Sequence, residues 1–487
     1  MTRRRPVQAF LLGILFGCLS LTKSDAQSIW ASGTAGNWNT ASSWNPAAVP
    51  GVGANAFITN AATFTVTYDS PMSAASIGSL TFGAGSSTPT LNISASDFNV
   101  TGTTTLSGST AGIINVNAGG VMNNGTLTES SQSGIVNVNG VMTNTTTKVA
   151  DNSSNDGAAA LKVNTGGVAS LGTVTIGRNN QGTGAGLLVA GGTVYANSIA
   201  IGSRNSYATM VVNSSGIVTN AGSLQLGTAT GTSGREVRFH QTSGTVVCGG
   251  TVDLNVGSSY LTWFNVLGGS KFTADGIRIF PNAVSGTARL TNSGTLYLGA
   301  SGFNVLNSGT YTVALLDQGI LGATADWSGN VNMSVPSGTF TFKAADANNN
   351  PNDITLSGVI SGGGGIAKTG NGSLTLNNAS AYTGSTTISA GTLKLGHAAA
   401  IPNGTSLTIG GSGTSGTLDL AGFNVQLASL ATAGLAASQL ITNSSAANAS
   451  TLIFSNSTVN SSFGGVLGGA SEPIGLTVLG GTLTLSG

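Results

Sequence analysis

The chain has 487 residues, 74 of them Gly, with 6% charged and 6% aromatic side chains and a formal net charge of +1. Average usage is about 7% Gly and about 25% charged, so Gly is doubled and charge cut roughly fourfold. The glycines follow no three-residue period, which excludes collagen. Hydrophobic residues make up 40% of the chain and fall in short alternating runs such as Leu161-Lys162-Val163, a pattern that excludes a disordered chain. Arg3, Arg4, Arg5, Lys23 and Asp25 precede residue 27, leaving 12 basic and 14 acidic residues, a net of −2. That balance lacks the basic footprint of a nucleic-acid binder.

The N-terminus reads as an export signal over residues 1–26. Arg3, Arg4 and Arg5 give the positive start, residues 9–21 an apolar run, and Ser24-Asp25-Ala26 a small-x-small cleavage site. The apolar run is too short for a stable membrane span. Past the predicted cleavage after Ala26, Cys248 is the remaining cysteine, so neither a disulfide nor a thiolate metal site is expected.

Residues 27–100 are expected to form a cap and the first coils. Trp30, Trp38 and Trp44, three of the five tryptophans, lie in the stretch IWASGTAGNWNTASSWNP. Two readings compete: an aromatic platform that stacks sugar rings, and a plug that covers the open end of a stacked fold. No acid or amide cluster accompanies the rings to hydrogen-bond a sugar, so the plug is the expectation.

A ladder of turns fills residues 101–353. Strand–turn–strand units read VNAGGV from Val116, VNGV from Val138, VNTGGV from Val163, VAGGTV from Val189 and VNSSGIV from Val212. Less regular copies start at Phe239, Val266, Leu290 and Leu315, and Ile176, Ile201 and Leu226 form a second marker in step. A period near 25 with two or three short strands predicts an all-β fold, a right-handed parallel β-helix whose inward residues alternate and whose corners use Asn and Gly. About eighteen to twenty coils at ~4.8 Å per rung would make a rod of roughly 90 Å. The one helix-like window, residues 427–440, is expected to be strand.

Residues 354–396 read ITLSGVISGGGGIAKTGNGSLTLNNASAYTGSTTISAGTLKLG, and residues 462–487 partly repeat them, with Gly358 matching Gly465 and Leu374 matching Leu483. Residues 397–461 read as further coils. The repeated stretch resembles the passenger-associated (autotransporter-associated) β-strand repeat of bacterial secreted and surface proteins. The tryptophan-rich start is similar to the beginning of exported proteins that carry this repeat. The resemblance implies export, a β-helical stalk and a secretion-associated role for Gly362, Gly363, Gly364, Gly365, Lys368, Gly370, Gly372, Leu374, Leu376, Tyr382, Gly384, Gly391 and Leu393.

Signs of catalysis are sparse. Asp151 and Asp156 share one turn, Asp346 and Asp353 flank another, and Asp275 lies three residues from Arg278. Solvated corners account for these acids as well as a calcium or carbohydrate site does. His240 and His397 stand alone, with His240 expected at a corner. SGGGGIAKTG lacks the G-x-x-x-x-G-K-[ST] order of a phosphate loop, and no GxSxG elbow marks a hydrolase. Arg178, Arg204 and Arg235 fall on consecutive proposed coils and offer a strip for an acidic glycan.

The reading is therefore an exported structural or adhesive β-solenoid, passenger-like, without catalysis or cofactor, at the cell surface, outer membrane or outside the cell. Its expected partners are outer-membrane export machinery or a barrel encoded elsewhere, and surface polysaccharide. The alternatives are a β-helical polysaccharide lyase or hydrolase and a carbohydrate-binding surface protein. The second repeat stops short of the first, so the parent gene is expected to continue past Gly487 or to use another anchoring route.

Overall fold

The computed structural model describes residues 26–31, 33–70, 76–83, 88–107, 112–129, 134–149, 160–177, 186–202, 208–228, 235–257, 260–283, 285–435, 438–468 and 472–486. The chain winds into a β-solenoid whose strands stack coil upon coil in a 33-stranded and a 15-stranded sheet. Among the described residues every pairing between these strands is parallel except one: Gln27–Trp30 runs antiparallel to Trp44–Asn45 and parallel to Asn55–Ile58. No α-helix occurs among the described residues, and the helix-like window opens as strand Val425–Thr432. All but Ala26 of the export signal lies outside the described residues.

Alternation builds the core. In Ala160–Asn164, Val163 is fully buried while Lys162 between two buried neighbours points outward, and Val174 and Ile176 are buried further along the same coil. Stacking such strands joins their inner faces into one hydrophobic cluster that runs from Trp30 to Phe463. Each buried aliphatic side chain removes apolar area from water, which contributes about 1.5–3 kcal/mol. Conformational entropy offsets most of that sum.

Coil register follows the sequence ladder and then departs from it. Val116 pairs with Val138, Val138 with Val163, Val163 with Val189 and Val189 with Val212. The next anchor is Gln241, not Phe239: Val212 pairs with Gln241 and Met210 with Phe239. That coil is longer than the ladder assumed, by the step from Phe239 to Gln241. A slip of this even size keeps side chains on the same face of a strand, so Phe239 and Phe264 remain buried and stack with centroids 5.1 Å apart.

Two further expectations need correction. His240 lies within the strand Arg235–Gln241, paired in register with Asn265, rather than at a corner. The corners owe their left-handed backbone mainly to Gly, as at Gly119 (φ 82°) and Gly166 (φ 83°). The asparagines act instead through their side chains. Asn164 Nδ2 donates to Asn139 Oδ1 (3.1 Å), and Asn117 Nδ2 donates to Ser94 Oγ (2.9 Å). An amide both donates and accepts, so it can be repeated every coil.

The two ends differ. At the N-terminal end Trp30, Trp38 and Trp44 are at most 1% exposed. Trp44 meets Trp30 and Trp38 edge-on at 5.1 and 4.7 Å, and Trp38 meets Phe98 at 4.8 Å. At the C-terminal end Ile474–Leu485 pairs with Ser450–Phe463, and Leu476, Val478, Leu479 and Leu485 are exposed. The 15-stranded face ends earlier, at Ala381–Tyr382.

Candidate functional site

The Gly-rich repeat forms short, tight coils. Its strands are Ile360–Gly362, Gly365–Thr369, Ser373–Leu376, Ala381–Tyr382, Thr386–Ile388 and Gly391–Leu395. Ile354 pairs with Leu374 and Leu374 with Leu393, so each of these coils is markedly shorter than the one that carries Val138 onto Val163. Corners this short bring backbones together. A β-carbon at Gly384 would run into the backbone of Gly364 and Gly365, and one at Gly391 (φ 64°) would meet Gly370, Gly372 and Lys368 Nζ. Leu374, Leu376 and Leu393 fill the core between these corners.

Lys368 is the unusual group. It lies in phase with Ile366 on the inner face, in register between Phe342 and Ile388, and is 0% exposed. Its Nζ donates to the carbonyl oxygens of Gly370 (2.7 Å), Ala390 (2.8 Å) and Thr369 (3.1 Å). Three protons thus meet three acceptors, two on its own coil and one on the next. Burial pulls the ammonium down to about 7, against a weak opposing pull from Asp353. The lysine therefore fastens two coils through the corner carbonyls of Gly370 and Ala390, while Thr369 O is shared with the backbone N–H of Ala344 (2.8 Å). Nearby, Tyr382 Oη and Thr386 Oγ1 are 2.6 Å apart and buried, and burial raises the phenol above its usual range.

The other sequence candidates scatter. The three tryptophans lie in the N-terminal plug, where their rings pack on one another and offer no open face. Trp44 Nε1 donates to the carbonyl of Trp38 at 2.8 Å. Arg178 and Arg204, like Asp151 and Asp156, lie outside the described residues, and Arg235 opens the strand Arg235–Gln241.

The remaining acids hold corners or neighbouring coils. Asp346 accepts from the Asn348 and Asn350 backbones and from the Asn350 amide, which holds its carboxyl below the usual range. Asp353 accepts from Ser373 N at 2.7 Å. Arg278 does not pair with Asp275. It forks onto Asp253 one coil earlier, with Nε and Nη2 each 2.7 Å from an oxygen, and Asp275 takes a hydrogen bond from Ser301. His397 accepts from Ala399 N at 3.0 Å. Among the described residues no three His, Cys, Asp or Glu side chains gather as metal ligands.

An internal polar ladder went unseen in the sequence. Thr104 donates to Asn124 (2.6 Å), Asn124 to Asn144 (2.8 Å) and Asn144 to Thr147 (3.0 Å), all buried. The signal was present as Asn at equivalent places in consecutive strands, Val121–Glu129 and Val141–Val149.

A protein-family model described as Passenger-associated-transport-repeat matches residues 366–395, the segment that carries Lys368 and its tight coils. The chain is 32% identical over 116 residues to a protein named adhesin BmaC autotransporter from Brucella suis biovar 1. The match covers 23% of this chain and 3% of that relative, so the chain spans a small part of the relative's length. No solved structure matches. Fold, repeat and relative agree: the chain is an autotransporter-passenger-like β-solenoid that carries a passenger-associated transport repeat.

Proposed function

We propose that this chain is the displayed part of an exported surface adhesin, a rod that works by shape and surface contact and carries out no catalysis. The observation that supports it most directly is the transport repeat built into a continuous solenoid, with its coils fastened by Lys368. The relative's name contributes the adhesive role. Coils that pair only with their neighbours can fold one after another, which suits a chain that emerges progressively through an outer-membrane barrel or export machinery. The barrel would be linked to the passenger or encoded elsewhere. The expected location is the cell surface, and the secretion-associated role falls on residues 362–393.

The rival reading is a β-helical polysaccharide lyase or hydrolase. It needs two or more carboxylates free to move protons in one cleft. Asp253 is instead 1% exposed and engaged by Arg278 and Thr251, and Asp419 is engaged by Ser444 and faces Lys394 at 3.8 Å. The adhesive reading is tested by comparing attachment of cells that produce the intact gene product with cells lacking it. Equal attachment to host-cell, abiotic and biofilm surfaces would refute it.

A further inference from the structure

The coil register brings three side chains from distant parts of the sequence into one column on the outer face. Arg238 pairs with Trp263, Trp263 with Arg289, and Arg289 with Thr312. Arg289 Cζ lies 4.5 Å from the Trp263 ring centre and Arg238 Cζ lies 6.0 Å from it. Arg238 is also ion-paired with Glu236, whereas Arg289 is exposed and has no carboxylate partner among the described residues. Trp263 Nε1 is covered and finds no acceptor. One rung further, the strand Thr310–Leu315 pairs fully with Thr287–Asn292 on one side but on the other meets the short strand Met333–Ser334 through Ala314 and Ser334 alone. The mismatch opens a cleft of about 400 Å³ lined by Thr310, Tyr311, Thr312, Asn332, Ser334 and Ser361, among others.

We propose that this column and cleft bind a uronate-containing oligosaccharide laid along the rod. A guanidinium resting on an indole uses its face for the ring and keeps its N–H fork free for a carboxylate. The stack also holds the fork in place before a ligand arrives, which reduces the ordering cost of binding. Hydroxyl and amide groups in the cleft suit sugar hydroxyls. Rungs about 4.8 Å apart advance at much the same pace as the rings of a pyranose chain, so successive sugars meet successive coils. Nucleic acid fits less well, because Glu236 offsets one of the two guanidinium charges and among the described residues no basic stripe extends the column. His240 lies two residues from Arg238 on the same face, and burial and that arginine lower its pKa. The site deepens the adhesive reading by naming a ligand class, and it rests on that reading for its biological use.

The test is calorimetric titration of the purified full chain with six-sugar oligomers of galacturonate, alginate and hyaluronate, with neutral cello-oligomers as control. At least one uronate oligomer should bind, with affinity falling as salt rises, and the neutral oligomer should not. Arg289→Gln should weaken binding roughly tenfold or more, and Arg289→Lys should recover only part, since an ammonium lacks the fork. Trp263→Ala should weaken it too. Arg289 is exposed, so its variants should melt at the wild-type temperature. Failure of all three uronates to bind the wild type, or undiminished binding by Arg289→Gln, overturns the site. Cell attachment that survives Arg289→Gln overturns the site as the adhesive contact while leaving the adhesive reading intact; attachment no greater than that of cells lacking the gene overturns the adhesive reading.

Discussion

Replacing Lys368 by Met keeps a flexible stem between Phe342 and Ile388 but removes the donor shared by the carbonyls of Thr369, Gly370 and Ala390. Thr369 O keeps its bond from Ala344 N, so the Gly370 and Ala390 carbonyls lose their donor, at about 1–3 kcal/mol each. Against that, the substitution removes a buried charge. The ammonium's pKa drops from 10.5 to about 7; at about 1.4 kcal/mol per unit, holding the proton at pH 7 costs on the order of 5 kcal/mol. The two effects nearly cancel near neutrality, so a single melting temperature says little. The pH dependence is decisive. Because the folded pKa lies below the unfolded one, the unfolded chain binds more protons between about pH 7 and 10.5, and stability rises with pH across that window. Below about 7 this group adds no further slope.

The stability of wild type minus that of Lys368→Met should therefore climb by up to ~1.4 kcal/mol per pH unit from pH 7 to 10. Taking the difference cancels groups common to both proteins. Urea unfolding followed by circular dichroism gives the global value. Hydrogen exchange at residues 354–395 gives the local one, which matters because solenoid coils can open separately. A flat difference would show that Lys368 keeps its proton throughout, with the three carbonyls outweighing burial, and would refute this account of the site.

Trp38→Ala should destabilise the N-terminal coils by about 3–5 kcal/mol, read as faster exchange over residues 44–68 and an earlier melting step. Unchanged melting would mean that the aromatic plug does not hold the end. Val163→Asp should prevent stable folding of its coil, because it puts an unpaired charge in a dry stack. Lys162→Asp, one position out of phase, should shift stability by no more than about 0.5 kcal/mol. Equal effects at 162 and 163, measured by limited proteolysis and melting, would contradict the strand register.

The sequence made the coil pattern legible wherever a turn motif recurred with even spacing. Val116, Val138, Val163, Val189 and Val212 are true register partners because their coils are similar in length. At Phe239 the motif had degenerated and the coil had lengthened, so that Val212 meets Gln241. The period of two preserved the inward face and hid the slip. The tryptophans are buried as a plug requires, but the supposed absence of an acid or amide cluster beside them was wrong: Asn37 Nδ2 donates to Asp69 (2.7 Å) and Asn39 Nδ2 to Ser70 O (3.0 Å) next to Trp38. The depth of Lys368 was not, because a charged residue is assigned to the surface unless its phase with Ile366 is followed. The Arg238–Trp263–Arg289 column was invisible for a different reason. Its members sit one full coil apart along the chain and become neighbours only when the register is known.

The central claim is that this solenoid is an exported passenger exposed on the cell. Antibody against the solenoid, applied to intact cells producing the complete gene product and to the same cells after permeabilisation, measures it directly. The account predicts full labelling of intact cells, with loss of the signal after external protease. Labelling that appears only after permeabilisation would place the rod inside the envelope and contradict the account.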